Sequence, residues 1–157
     1  MLWQLLRRVK ALTTKIVGRI LVAYVVAVLV AYLLGATAAT QSVLASLEAM
    51  GVVVSLGERL STTGKDLIGM FPAYGLIIAV AFAIALPIAT NIARYLPRWR
   101  AFGLVVAGVV AMIVPHLLMR EFLEITPVAA ARTVVGLLVQ GLAGGVGGYA
   151  FYFVRKP

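Results

Sequence analysis

ILVAYVVAVLVAYLLGATAA, residues 20–39, decides the fold. The stretch holds no charged side chain. A helix rises about 1.5 Å per residue, so about 20 residues cross a hydrocarbon core of roughly 30 Å. Three more runs of this kind come later, at residues 71–93, 101–119 and 127–154. None contains Asp, Glu or Lys, and the one arginine is Arg132, in the first turns of the fourth. The expected fold is an all-α membrane protein: four transmembrane helices in a tightly packed bundle, forming a single domain over residues 1–157. An amphipathic N-terminal helix and a short external helical segment are expected beside them.

Composition points the same way. Of the 157 residues, 63% are hydrophobic and 12% charged, with mean hydropathy +1.07. Soluble domains are roughly half apolar and about a quarter charged. A soluble chain this apolar could not hide its surface, so lipid is the solvent. Cysteine is absent, which excludes disulfides, thiol catalysis and cysteine metal sites.

Net charge is +9, which on its own suggests nucleic acid or an anionic surface. The placement of the charges decides between them. Arg7, Arg8, Lys10, Lys15 and Arg19 precede the first run, Arg94, Arg98 and Arg100 separate the second from the third, and Arg155 and Lys156 come after the fourth. With four crossings these ten share one side. The other side carries Arg59, Lys65, Arg120 and Arg132 with all five carboxylates, Glu48, Glu58, Asp66, Glu121 and Glu124. Excess Lys and Arg mark the cytoplasmic face, so both termini are expected in the cytoplasm, in a bacterial inner (plasma) membrane. Topology accounts for the basicity, and no nucleic-acid partner is expected.

The first run also fits a secretory signal, with a basic leader and Ala36-Thr37-Ala38 as an A-x-A cleavage pattern. Leader and run are both long for a signal, and the reading adopted is an uncleaved helix. In the leader, Leu2, Leu5, Leu6, Val9, Leu12 and Ile16 recur at helical spacing between basic residues, and Trp3 suits the headgroup zone. The leader is either an interfacial helix or a solvated basic lead-in.

Residues 40–70 are the least regular part. Leu44, Leu47, Met50 and Val54 suggest a short amphipathic helix broken at Gly51. Ser61 to Gly64 reads as a further break, with Thr63 and Asp66 as a variant capping box that starts the next helix. The segment lies on the outer surface or dips in as a re-entrant piece. Thr126-Pro127 reads as N-cap and first residue of the fourth helix. Pro72, Pro87 and Pro115 permit kinks.

Small residues recur at every fourth position. The first helix has Ala23, Ala27, Ala31 and Gly35; the second Gly75, Ala79 and Ala83; the third Gly103, Ala107 and Ala111. The fourth has Gly136, Gly144 and Gly148 with Gln140 at the missing beat, and Gly141 and Gly145 alongside. Lipid tails provide no hydrophobic drive between helices, so close backbone approach must supply dispersion and weak hydrogen bonds. Six glycines from Gly136 to Gly148 exceed what one intrachain contact needs, so a homo-oligomer or a larger membrane complex is expected. Tyr149, Phe151, Tyr152 and Phe153, with Tyr95 and Trp99, form an aromatic belt and imply no cofactor.

Two polar residues are candidate sites. Gln140 sits within the fourth helix, and intramembrane polar residues are candidates for function. The simpler role is an interhelical hydrogen bond of roughly 0.6 kcal/mol, with Tyr24 or Tyr32 as partner. His116 comes after Pro115 near the outer end of the third helix, on the side of Asp66, Glu121 and Glu124. A cation or proton site is one reading, and an interfacial structural role with ion pairing to Arg120 is the other. No H-E-x-x-H, G-x-S-x-G or phosphate loop occurs, so no enzyme and no metal or cofactor is expected.

Length and helix count resemble the small multidrug exporters. Those carry a carboxylate in the middle of their first helix, and residues 24–30 here have none, so that function does not transfer. Gly57-Glu58-Arg59-Leu60, Lys65-Asp66-Leu67-Ile68-Gly69, Ala131-Arg132-Thr133 and Gln140-Gly141 lie in a layout that resembles uncharacterised small four-helix inner-membrane proteins of proteobacteria. That resemblance implies a location and a topology, and no activity. The expected function is a structural or accessory subunit that self-associates. The alternative is a small oligomeric transporter or channel built around Gln140, Thr90 and Asn91.

Overall fold

A computed structural model of the chain describes the backbone of residues 2–123 and 129–156, and the side chains of residues 3, 13–122 and 131–156. Every element among these is helical. The order is α1 (Leu2–Ala49), α2 (Leu56–Gly69), a π-helical turn (Phe71–Gly75), α3 (Leu76–Ile92), a 3-10 turn (Pro97–Trp99), α4 (Arg100–Leu123), a second 3-10 turn (Ala129–Arg132) and α5 (Val134–Val154). Four stretches are long and apolar enough to cross a membrane: Thr13–Ala49, Phe71–Ile92, Pro97–Phe122 and Val134–Val154.

The helices place small residues inside and large ones outside. On α1, Ala23, Ala27, Ala31, Gly35 and Ala39 are buried, while Leu21 is 60% exposed and Leu29 and Leu33 also face outward. A soluble helix does the reverse. An outward coat of Leu, Val and Ile on every span is stable only against hydrocarbon.

α5 lies between α1 and α4, and α3 closes on α4. The glycines of α5 serve two neighbours. A methyl on Gly144 would strike the Gly108 carbonyl and Met112, and one on Gly148 would strike the Leu104 carbonyl, all on α4. A methyl on Gly147 would come 2.7 Å from the Ala27 carbonyl oxygen and 2.9 Å from Ala31 Cβ, on α1. Both glycine faces are therefore occupied within the chain, and the glycine count does not require a second copy.

The stripe expected on α3 is not its core face. Gly75 is buried but its open side meets only Phe71, Ala79 is half-buried and Ala83 is exposed. The buried face is Tyr74, Ile78, Phe82 and Leu86, with Ala89 and Ala93. Large side chains reach across to α1 and α5 because α3 stands farther from them. On α4, Leu104, Gly108 and Met112 meet α5. Gly103, Ala107 and Ala111 instead line a groove of about 1130 Å³ against Ala81, Ala85 and Ala89 of α3.

The external segment differs from expectation. Leu44 and Leu47 belong to α1, which runs 48 residues without interruption from the leader. Most leader side chains lie outside the described residues. Gly51 ends α1 as expected: with φ +88° it lets its own N–H reach the Glu48 carbonyl and that of Val52 reach Leu47. No break occurs at Ser61 to Gly64. α2 starts earlier, at a full capping box in which Ser55 and Glu58 bond reciprocally. Thr63 caps nothing. Its hydroxyl donates to the Arg59 carbonyl and accepts from Gln41.

α2 runs back along α1 on a polar seam. Arg59 pairs with Glu48 at 2.6 Å and donates to Gln41, Thr40 donates to Asp66 at 2.8 Å, and Tyr32 donates to the Leu67 carbonyl at 2.6 Å. The fourth span also begins later than residue 127. Thr133 caps α5 by accepting from the Gly136 N–H, so Arg132 lies before the helix. The Thr126-Pro127 pair lies outside the described residues.

Candidate functional site

Gln140 and His116 meet through a residue that the sequence did not single out. The π-helical turn carries Tyr74 onto the inner face of α3, four residues before Ile78. The Tyr74 hydroxyl donates to Gln140 Oε1 at 2.6 Å. Gln140 Nε2 donates to the Gly35 carbonyl of α1 at 3.0 Å. The Tyr74 ring stands edge-on to the His116 ring, with centroids 5.8 Å apart. One cluster thus ties all four spans together. Gly35 makes room for it: a methyl there would sit 2.7 Å from Gln140 Oε1 and 3.0 Å from the Tyr74 hydroxyl.

The expected tyrosine partners of Gln140 are engaged elsewhere. Tyr24 donates to the Ala79 carbonyl and Tyr32 to Leu67. Gln140 is completely buried, at 0% exposure, with both ends of its amide bonded. That is how an amide survives in hydrocarbon.

His116 is inside the bundle rather than on its surface. It is 3% exposed and shares the inner face of α4 with Met112, one turn earlier. Its Nδ1 lies 2.6 Å from the Met112 carbonyl oxygen, so that nitrogen carries the hydrogen. In the neutral ring Nε2 is then an acceptor, and it is buried and without a partner among the described residues. Arg120 is exposed and forms no ion pair among the described residues, and Glu124 lies outside them. Asp66 faces α1 through Thr40. His116 itself takes part in no surface ion pair and makes a ring contact with Tyr74 in the interior instead.

Thr90 and Asn91 lie far along α3 from Gln140, at the basic end. Thr90 accepts from Arg155 at 3.0 Å, and Asn91 is exposed. Arg19 donates to the Val154 carbonyl at 3.2 Å, where the end of α5 leaves carbonyls unpaired. Arg155 also stacks over Phe151, 5.6 Å from the ring centre.

What the Gln140 cluster can do is limited by its chemistry. It is neutral, contains no carboxylate and is fully internal. No group of three or more His, Cys, Asp or Glu able to hold a metal occurs among the described residues. No family model, curated protein or solved structure matches the chain.

Proposed function

We propose that the chain is a multi-pass structural or accessory membrane subunit: a tightly packed bundle that associates with a second copy or with a larger membrane complex. One observation carries this reading. The polar groups are split between two ends, and the layer between them is apolar and filled. Gln140, Tyr74 and His116 stand toward one end, and Thr90, Asn91 and the arginines at the other. Between them lie Ala27, Ile78, Phe82 and Leu104, all fully buried. A permeant needs groups that replace its hydration along the way, and the one side-chain hydrogen bond in this layer, from the Tyr24 hydroxyl to the Ala79 carbonyl, is already closed within the chain.

Ten basic residues on one side and all carboxylates on the other support cytoplasmic termini in a bacterial inner membrane. Self-association uses the α3–α4 groove, because both glycine faces of α5 are already covered. Its small-residue floor admits close approach of another helix.

The second reading is a small oligomeric transporter or channel, whose path runs between copies. The unpartnered Nε2 of His116 favours it, as an acceptor held ready in the bundle. Liposome flux separates the two. Under the first reading, neither the wild type nor Gln140→Leu passes ions or small solutes. Reproducible wild-type flux, abolished by Gln140→Leu in a folded protein, establishes the second and removes the first.

A further inference from the structure

A cavity of about 490 Å³ opens between α1 and α3 at the basic end. Its two halves differ in chemistry. Val17, Leu21 and Tyr24 of α1, Leu86 of α3 and Phe151 of α5 form an apolar wall. Arg94, Arg155, Thr90 and Asn91 form the rim. The Tyr24 hydroxyl, bonded to the Ala79 carbonyl at 2.6 Å, fixes the spacing of α1 and α3 at the inner end.

The rim is electrostatically unbalanced. Arg155 feels both Arg100 and Arg94, and burial together with these like charges holds its pKa below the ordinary arginine value. Arginine remains a cation regardless. Arg19 adds a fourth charge at the Val154 carbonyl of the same end. No acidic side chain belongs to this side of the chain, and the one ion pair among the described residues, Arg59 with Glu48, is at the opposite end. A solvated rim that served topology alone would point its arginines outward, as Arg98 does. Arg155 is instead drawn inward, between Thr90 and the Phe151 ring.

We infer that this cavity binds an anionic phospholipid, its phosphate held by Arg94 and Arg155 and an acyl chain lying along Val17, Leu21 and Leu86. Basic pockets between transmembrane helices recognise anionic headgroups in this way. The apolar wall suits an acyl chain, which a soluble anion lacks. Charge at the rim excludes a purely apolar ligand. The cavity lies at the end of the bundle away from the Gln140 cluster, so lipid binding there is independent of the accessory-subunit reading.

The test is thermal unfolding of the purified full-length protein in neutral detergent. It is titrated with phosphatidylglycerol, with phosphatidylcholine of the same acyl chains, and with inorganic phosphate. Phosphatidylglycerol is expected to raise Tm at the lowest concentration. Arg94→Gln is expected to raise the phosphatidylglycerol concentration needed by about fivefold, the equivalent of about 1 kcal/mol per arginine near an anionic lipid. Arg94 is exposed and makes no side-chain hydrogen bond among the described residues, so the variant tests binding without unfolding the protein. Arg120→Gln, at the far end, is expected to change nothing. Equal stabilisation by phosphatidylcholine overturns the inference. A full shift with inorganic phosphate alone also overturns the lipid, leaving a simple anion site. An Arg94→Gln response equal to wild type overturns it as well.

Discussion

Gln140 is bonded at both ends of its amide, and the partner at one end sets what its loss costs. An interhelical bond averages roughly 0.6 kcal/mol, but Gln140→Leu also strands the hydroxyl of Tyr74, a residue that is 3% exposed. An unsatisfied buried hydroxyl costs about 1–3 kcal/mol. Gln140→Leu is therefore expected to lower stability by about that much, and adding Tyr74→Phe is expected to recover most of the loss. Thermal or denaturant unfolding in detergent checks the cycle; simple additivity of the two losses would remove the bond from the account. That Gln140 must be hydrogen-bonded was legible, since a lone amide in an apolar helix has no other way to be stable. Which tyrosine it meets was not, because Tyr24, Tyr32 and Tyr74 all lie in apolar spans and only the packing of the helices decides which hydroxyl reaches the amide. Glycine positions give a second test at this scale. Gly144→Leu drives a side chain into the Gly108 backbone, which cannot rotate away, and is expected to cost at least about 1–3 kcal/mol. Leu142→Ala trims a side chain that is 68% exposed and is expected to cost far less. Equal melting temperatures for the two variants would show that α5 does not meet α4 there.

Among the elements, the four spans were legible because length and lack of charge are read directly from the chain. Boundaries were less so. Residues 40–70 misled because Gly64 and the Ser-Thr-Thr run before it are weak helix formers, costing up to about 1 kcal/mol each. The structure offsets that through the seam from Glu48–Arg59 to Thr40–Asp66, a tertiary effect that local propensity cannot contain. Faces of α3 misled for a related reason. Alanine spacing marks where helices can approach, while the distance to α1 and α5 is set by Tyr74, Ile78 and Phe82. The start of α2 yields a pH prediction. Glu58 accepts from the Ser55 hydroxyl and backbone N–H, and these bonds hold its pKa below the usual glutamate value. A carboxylate with a lowered folded pKa contributes stability above its unfolded pKa and loses it as pH falls through the folded one. The first turn of α2 is therefore expected to loosen under acid. Glu58→Gln keeps an oxygen for the Ser55 N–H and cannot titrate, so that response should vanish. Backbone NMR shifts of residues 55–59 against pH report it, and an unchanged acid response in the variant would rule the cap out.

Across the whole molecule, charge and packing describe the same axis. Glu48, Glu58 and Asp66 gather where α2 folds back on α1, and Arg19 and Arg155 meet where α5 ends beside Thr90. Four crossings would put both termini on one side, and the ten Lys and Arg there are expected to make it cytoplasmic under the positive-inside rule. Residues 48–65 and the C-terminus are separated by three crossings, so they are expected on opposite faces. Reporter fusions within residues 48–65 and after Pro157 test this in two independent ways. A C-terminal fusion active in the cytoplasm, with the internal one active outside, is the expected pattern. The reversed pattern would keep four crossings and overturn the orientation, meaning that the carboxylate-rich end outweighs the arginines. Activity of both fusions on one face would be more damaging, since an odd number of crossings cannot join points on the same side. One of the three intervening helices would then fail to span. α3 would be the one to suspect: it starts at a π-helical turn, contains Pro87 and packs across large side chains, whereas α4 and α5 are held by backbone contact at Gly108 and Gly144.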